Sequence, residues 1–177
     1  MKKMKTVFVI DRAVHRATDV VQEQWVTDGE GIATLKWDGS SCLIEGGRLF
    51  KRYDAKPGRT IPAGFMPCED EPDAVTGHHP GWVPVEEGDR ACKYHLEAFD
   101  ASLPDGTYEL LGPKVQGNKY GFERHRLVRH GADAVEVERT LEGIIAWLRT
   151  HEHEGLVFHH PDGRLAKVRR KDFGIRW

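Results

Sequence analysis

The chain has 177 residues, 39% of them hydrophobic and 31% charged, and a formal net charge of −2 with histidine neutral. That length suits one domain with a buried core, and the composition fits a soluble globular protein. The near-balance of charge excludes a globally basic nucleic-acid coat protein but leaves room for a local basic groove. Such a bias exists at the end, where Arg164, Lys167, Arg169, Arg170, Lys171 and Arg176 stand against Asp172 alone. Cys42, Cys68 and Cys92 are odd in number and widely spaced, which fits neither a disulfide framework nor a zinc site and predicts a reducing, cytoplasmic home. No apolar stretch is long enough to span a membrane. The basic start Met1-Lys2-Lys3-Met4-Lys5 precedes an apolar run from Val7 to Ile10 that is too short for a signal peptide.

Thr6 to Ile10 reads as a strand, and Val14 to Gln24 fits a short helix or a loop. Gly31 to Trp37, Ser41 to Glu45 and Arg48 to Tyr53 predict a three-strand meander with hairpin turns at Asp38-Gly39 and Gly46-Gly47. Residues 54 to 81, with Pro57, Pro62, Pro67, Pro72 and Pro80, predict a long irregular loop. Trp82 to Val85 reads as a short strand and Asp89 to Asp100 as a helix with Ala91, Tyr94, His95 and Ala98 on one side. Thr107 to Leu111 reads as a strand, Gly112 to Gly121 as a glycine-rich loop, and Arg126 to Arg129 as a short strand. The clearest helix is Val137 to His151, where Leu141, Ile144, Ile145 and Leu148 recur at helical spacing. Gly155 to His159 and Arg164 to Arg169 pair across Pro161-Asp162-Gly163 as a terminal hairpin. Strands with segregated helices predict an α+β fold of mostly antiparallel sheets.

Four segments carry charge at strand ends or on alternate strand positions. The first is Lys36-Trp37-Asp38-Gly39-Ser40-Ser41. A lysine at a strand end beside an acid is placed to act as a nucleophile, because neighbours can lower its pKa until a free amine exists. The same residues also read as an ordinary hairpin. Glu109 lies in Tyr108-Glu109-Leu110-Leu111-Gly112, and Glu154 opens Glu154-Gly155-Leu156-Val157-Phe158. Lys167 and Arg169 sit two apart and share one strand face. Buried charge is costly unless paired, so these groups imply mutual pairing or a polar cleft. An amine, carboxylates able to hold a divalent metal and cations able to hold phosphates suit nucleotidyl transfer.

In this order, with Arg52 soon after the first, these segments resemble motifs I, III, IV and V of the covalent nucleotidyltransferases, the polynucleotide ligases and mRNA capping enzymes. The resemblance covers roughly residues 30 to 171. The phrases Glu109-Leu110-Leu111-Gly112-Pro113-Lys114-Val115-Gln116-Gly117-Asn118 and Lys167-Val168-Arg169-Arg170-Lys171-Asp172-Phe173-Gly174 look most like the RNA ligase branch. The resemblance implies the adenylyltransferase fold, antiparallel sheets flanked by helices, as a single catalytic domain over 1–177 with no C-terminal accessory domain. It implies ATP as AMP donor, Mg²⁺ or Mn²⁺, and RNA with 5′-phosphate and 3′-hydroxyl ends as substrate, sealed through lysyl-AMP.

By position, Lys36 is the implied nucleophile, Asp38 orients it or binds a metal-bound water, and Lys167 stabilises the α-phosphate. Gly39, Arg52, Glu109 and Arg169 join them as nucleotide contacts. Glu154, Asp38 and Glu109 are the implied metal carboxylates. Phe122, or Tyr120, resembles the family's adenine-stacking aromatic, although a loop anchor is an equal reading. Arg169 stands where the family commonly has a second lysine and keeps the charge. An mRNA guanylyltransferase using GTP, or a non-catalytic nucleotide- or RNA-binding module, is the alternative. The histidines at 78–79, 151, 153 and 159–160 lack zinc-closing partners and read as solvated or capping. Glu97 reads as a helix-surface acid or a further cleft carboxylate, and Arg169-Arg170-Lys171 as a solvated edge or an RNA-backbone contact.

Overall fold

A computed structural model describes residues 4–177; Met1, Lys2 and Lys3 of the basic start lie outside the described residues. In chain order the elements are β1 (Lys5–Thr6), β2 (Phe8–Asp11), β3 (Arg16–Val21), α1 (Gln24–Thr27), β4 (Ile32–Lys36), β5 (Ser40–Glu45), β6 (Arg48–Ala55), β7 (Met66–Pro67), β8 (His79–Pro84), α2 (Lys93–Ala98), β9 (Gly106–Leu111), β10 (Arg126–Arg129), β11 (Ala134–Val135), α3 (Leu141–Thr150), β12 (Gly155–His159) and β13 (Leu165–Arg169). The fold is α+β with mostly antiparallel sheets. No helix among the described residues is long and apolar enough to cross a membrane. The chain divides into two compact units: a continuous one, Gly39–His130, and a split one that runs up to Asp38 and resumes as Gly131–Trp177.

The split unit carries a five-stranded sheet in the order β1-β13-β12-β4-β11 and the hairpin β2-β3. Only β1 against β13 is parallel in that sheet. Alternation decides its two faces. Ala33, Leu156, Phe158, Ala166 and Val168 point into a core shared with Val7, Phe8, Trp25, Val26, Ile144, Trp147 and Leu148. The intervening positions Thr34, Lys36, Val157, Lys167 and Arg169 take the opposite face. Helix α3 supplies the core's lid and starts at Leu141 rather than Val137, because the Thr140 hydroxyl accepts the Gly143 N–H at 3.0 Å and caps it there. Its buried stripe is Ile144, Trp147 and Leu148, with Ile145 only half-buried.

The continuous unit holds a six-stranded antiparallel sheet ordered β10-β9-β5-β6-β8-β7. Cys42, Ile44, Leu49, Tyr108, Leu110 and Val115 form its core, with Tyr94 and Ala98 of α2 packed against it. Asp89 accepts the Ala91 N–H at 2.8 Å and starts a 3-10 turn, Arg90–Cys92, that leads into α2.

Several expectations need correction. The three-strand meander does not form: β5 and β6 pair across Gly46-Gly47, but β4 pairs with β12 and β11. Asp38-Gly39 is therefore not a hairpin turn but the point where the chain leaves one unit for the other. Val14 to Gln24 is neither helix nor loop throughout, since Arg16–Val21 is β3, paired with β2. Thr6 to Ile10 breaks at Val7, whose side chain is fully buried. The long loop is interrupted by β7, and β6 and β8 extend into it from either end.

Candidate active site

Lys36 ends β4, and its register partner on β12 is Gly155, which in turn pairs with Arg169 on β13. Gly155 thus lies between two cations and contributes no side chain. A Cβ there would fall 1.9 Å from the Val168 carbonyl oxygen, so the strand approach demands glycine. Lys36 Nζ is bonded to the Glu154 carboxylate, at side-chain exposures of 19% and 15%. Arg169 makes a forked pair with Asp172, Nε to Oδ2 at 3.0 Å and Nη2 to Oδ1 at 2.8 Å. Asp172 is buried, which makes this fork a fixed part of the site. Lys167 sits beside both pairs. Burial, then the charges of Arg169 and Lys36, push its pKa from 10.5 down to about 8, against the opposing pull of Glu154 and Asp172.

Asp38 accepts the Trp177 indole N–H at 2.8 Å. Trp37 donates its own indole N–H to Asp133 at 2.9 Å and meets His153 edge-on, with ring centroids 5.1 Å apart. The acid bonded to Lys36 is thus Glu154, 118 positions along the chain, rather than the neighbouring Asp38.

In the continuous unit, Glu109 on β9 faces Ser41 on β5. Its buried carboxylate accepts the Gly39 N–H at 2.9 Å, the Ser41 hydroxyl at 3.2 Å and the His130 ring at 2.8 Å. A Cβ on Gly39 would lie 2.2 Å from the Leu110 carbonyl oxygen. Glycine is required by this close approach rather than by a turn. A cavity of about 330 Å³ is lined by Gly39, Ser40, Ser41, Lys51, Arg52 and His95. Arg52 points Nη1 at Cys68 Sγ, 3.0 Å away, and its guanidinium lies 5.1 Å from the Trp82 ring. Lys51 donates to Asp89 at 3.1 Å. Burial, then the charge of Lys51, lowers the His95 pKa, which keeps the ring neutral near pH 7. Phe122 has the Arg126 guanidinium 4.5 Å from its centroid and Tyr120 at 6.1 Å.

Among the described residues, no three His, Cys, Asp or Glu side chains are grouped so that they could hold a metal ion. The paired histidines serve the fold: His78 meets Asp54 at 2.7 Å, His79 the Glu69 carbonyl at 2.6 Å, His159 the Thr34 hydroxyl at 2.9 Å and His160 Glu30 at 2.6 Å. Glu97 is partnered by His125 at 3.0 Å. Arg170 donates to the carbonyls of Arg176 and His151, both at 2.7 Å. Asp172, Trp177, His130, Lys51 and His95 are the site neighbours that sequence reasoning missed. Only Asp172 left a signal, as the lone acid within the basic end.

Residues 100–177 match the family model described as RNA ligase 1. RNA ligase 1 of Mus musculus is 26% identical over 222 aligned residues, taking 82% of this chain and 68% of the mouse protein. The chain is thus similar to RNA ligases. RNA ligase 1 of Rattus norvegicus is 25% identical over the same shares, and that of Pongo abelii is 30% identical over 63% of this chain and 44% of its own length. The stretch matched by the family model contains Glu109, Phe122, Glu154, Lys167 and Arg169, whereas Lys36 and Arg52 lie before it.

Proposed function

We propose that this chain is an ATP-dependent RNA ligase acting through a covalent lysyl-AMP at Lys36. The observation that carries the reading is the charged face of the split unit, where Lys36, bonded to Glu154, shares the neighbourhood of a lysine whose pKa is driven down to about 8. Perturbed pKa values cluster at functional sites, where chemistry needs groups that change charge near neutral pH. The family of its relatives supports RNA as the substrate.

In the first step Lys36 Nζ forms a bond to the α-phosphorus of ATP as the bond to the bridging oxygen of pyrophosphate breaks. The amine sheds a proton, and Glu154, its hydrogen-bond partner, is placed to receive it. Lys167 and the Asp172-held Arg169 offset the negative charge that develops on the phosphate oxygens. AMP then passes to the 5′-phosphate of an RNA, and a 3′-hydroxyl displaces it to seal the strand. In the continuous unit, Arg52 and Phe122 are assigned to the nucleotide. Glu109 holds Gly39 and Ser41 in place and is assigned a ribose or water contact.

A divalent ion, Mg²⁺ or Mn²⁺, would shield the phosphates. Such an ion needs only one or two carboxylates, with water and phosphate completing its shell, so Glu154 and Asp38 of the split unit would hold it without a protein cage.

The test is incubation with α-labelled ATP or GTP and Mg²⁺, followed by denaturing electrophoresis. AMP label on the protein that disappears in Lys36→Ala is the expected result. GMP label instead would make the chain a guanylyltransferase. No label from either nucleotide, together with no sealing of a preadenylylated RNA, would overturn the catalytic reading in favour of a binding module.

A further inference from the structure

We propose that the turn Lys56-Pro57-Gly58-Arg59 in the continuous unit is a preformed clamp for the phosphates of a single RNA strand. The choice of RNA as the polyanion rests on the ligase reading above. The Arg59 N–H donates to the Lys56 carbonyl at 3.1 Å, which closes a four-residue turn. Gly58 has φ of 71°, and Pro57 stands before it. Proline then glycine with positive φ is the pattern of a type II turn, which brings the first and fourth residues within about 7 Å. Those two residues are the cations Lys56 and Arg59. Both are exposed, and among the described residues neither side chain has an ion-pair partner.

The turn is buttressed. A Cβ on Gly77 would lie 2.7 Å from Pro57 Cγ, so the proline ring rests against that glycine's backbone. The segment around Gly77 is itself tied: Gly77 N–H donates to the Asp73 carbonyl at 2.7 Å, and Asp73 N–H to the His78 carbonyl at 2.9 Å. The groove beside the turn is lined by Tyr53, Asp54, Lys56, Gly58, Arg59 and Thr60 and holds about 550 Å³. Its one acid, Asp54, is bonded by His78 at 2.7 Å. Two open cations, a hydroxyl and an aromatic ring therefore face a groove whose carboxylate is already engaged. Cations held in place before binding lose little freedom when phosphate arrives. In contrast, Arg169 and Arg170 of the basic end are committed to Asp172 and to backbone carbonyls.

The experiment compares the wild type with Lys56→Ala/Arg59→Ala, reading fluorescence anisotropy of a labelled, 5′-phosphorylated single-stranded RNA across a salt series. Each phosphate contact to a single strand contributes about −0.7 to the slope of log K against log salt, so losing two should flatten it by ~1.4 and weaken binding up to ~25-fold near 0.1 M salt. AMP labelling of Lys36 should be unchanged. The reciprocal variant Lys56→Arg/Arg59→Lys should keep the wild-type slope, which separates charge from folding. An unchanged slope in the alanine variant, or a lost slope in the charge-keeping one, overturns the clamp. If the protein takes no label and seals no preadenylylated RNA while the alanine variant still loses RNA affinity, the clamp stands and the ligase reading falls.

Discussion

Replacing Lys167 with methionine should stabilise the protein while abolishing its chemistry. Methionine keeps most of the apolar stem and removes the charge. In the fold the lysine's pKa is about 8 rather than 10.5, chiefly from burial and then from Arg169 and Lys36. Between those two values the unfolded chain binds a proton that the folded one has released, so stability rises with pH from about 8 to about 10.5. Below pH 8 both states are protonated and the whole penalty is present. At 1.36 kcal/mol per unit the ceiling is about 3 kcal/mol, and residual solvent contact of the half-buried side chain brings the expectation to about 1–2 kcal/mol. Urea unfolding at pH 7 should therefore place Lys167→Met above wild type by about 0.5–1 M in midpoint. The gap should close towards pH 10.5. Other groups that titrate there, such as Cys42, whose thiol burial pushes up to about 12, are common to both proteins and cancel in the difference. A variant less stable than wild type at pH 7, or a gap independent of pH, would refute the argument.

Binding of ATP or pyrophosphate should raise the Lys167 pKa, so calorimetry at pH 8.5 in two buffers of different ionisation heat should register proton uptake, absent in Lys167→Met. Trp177→Phe removes the indole N–H that Asp38 accepts at 2.8 Å; losing one hydrogen bond to a carboxylate should lower the unfolding free energy by about 1.5 kcal/mol in a denaturant titration and also slow AMP labelling. Gly155→Ala should lower stability by about 2 kcal/mol or more in a denaturant titration, because its methyl would fall 1.9 Å from the Val168 carbonyl oxygen; an unchanged midpoint would show that β12 and β13 separate easily.

Much of the secondary structure was legible because alternation and helical spacing are local. The hairpin of β12 and β13 and the buried stripe of α3 follow from apolar residues at periods of two and 3.6. Pairing across the sheet is not local. Gly31 to Glu45 reads as two strands around Asp-Gly, and nothing in that stretch says that β4 lies beside β12 while β5 lies beside β9. Strand β3 was missed because its residues, Arg-Ala-Thr-Asp-Val-Val, give no clear alternation and none is fully buried, Ala17 and Val21 only partly covering the core. The site shows the same division. Order along the chain pointed to Glu154 and Lys167, but the identity of the acid on Lys36 depends on β12 lying next to β4. Phe122 and Arg52 were expected as nucleotide contacts, and sequence gave no sign of Arg126 against one or Cys68 against the other.

The split unit pairs its cations unequally. Arg169 is forked to Asp172, and Lys36 is bonded to Glu154. Lys167 has no ion-pair partner among the described residues, although its pKa registers the cost of burial and of two neighbouring positive charges. A fold selected only for stability would replace such a lysine with an apolar side chain of similar length. A fold that awaits a phosphate would keep it, because an anion arriving there gains a cation that is already partly desolvated and held in place. In the proposed mechanism Lys36 is different: its carboxylate partner, Glu154, is the group that takes the proton of the amine, while Lys167 meets the phosphate.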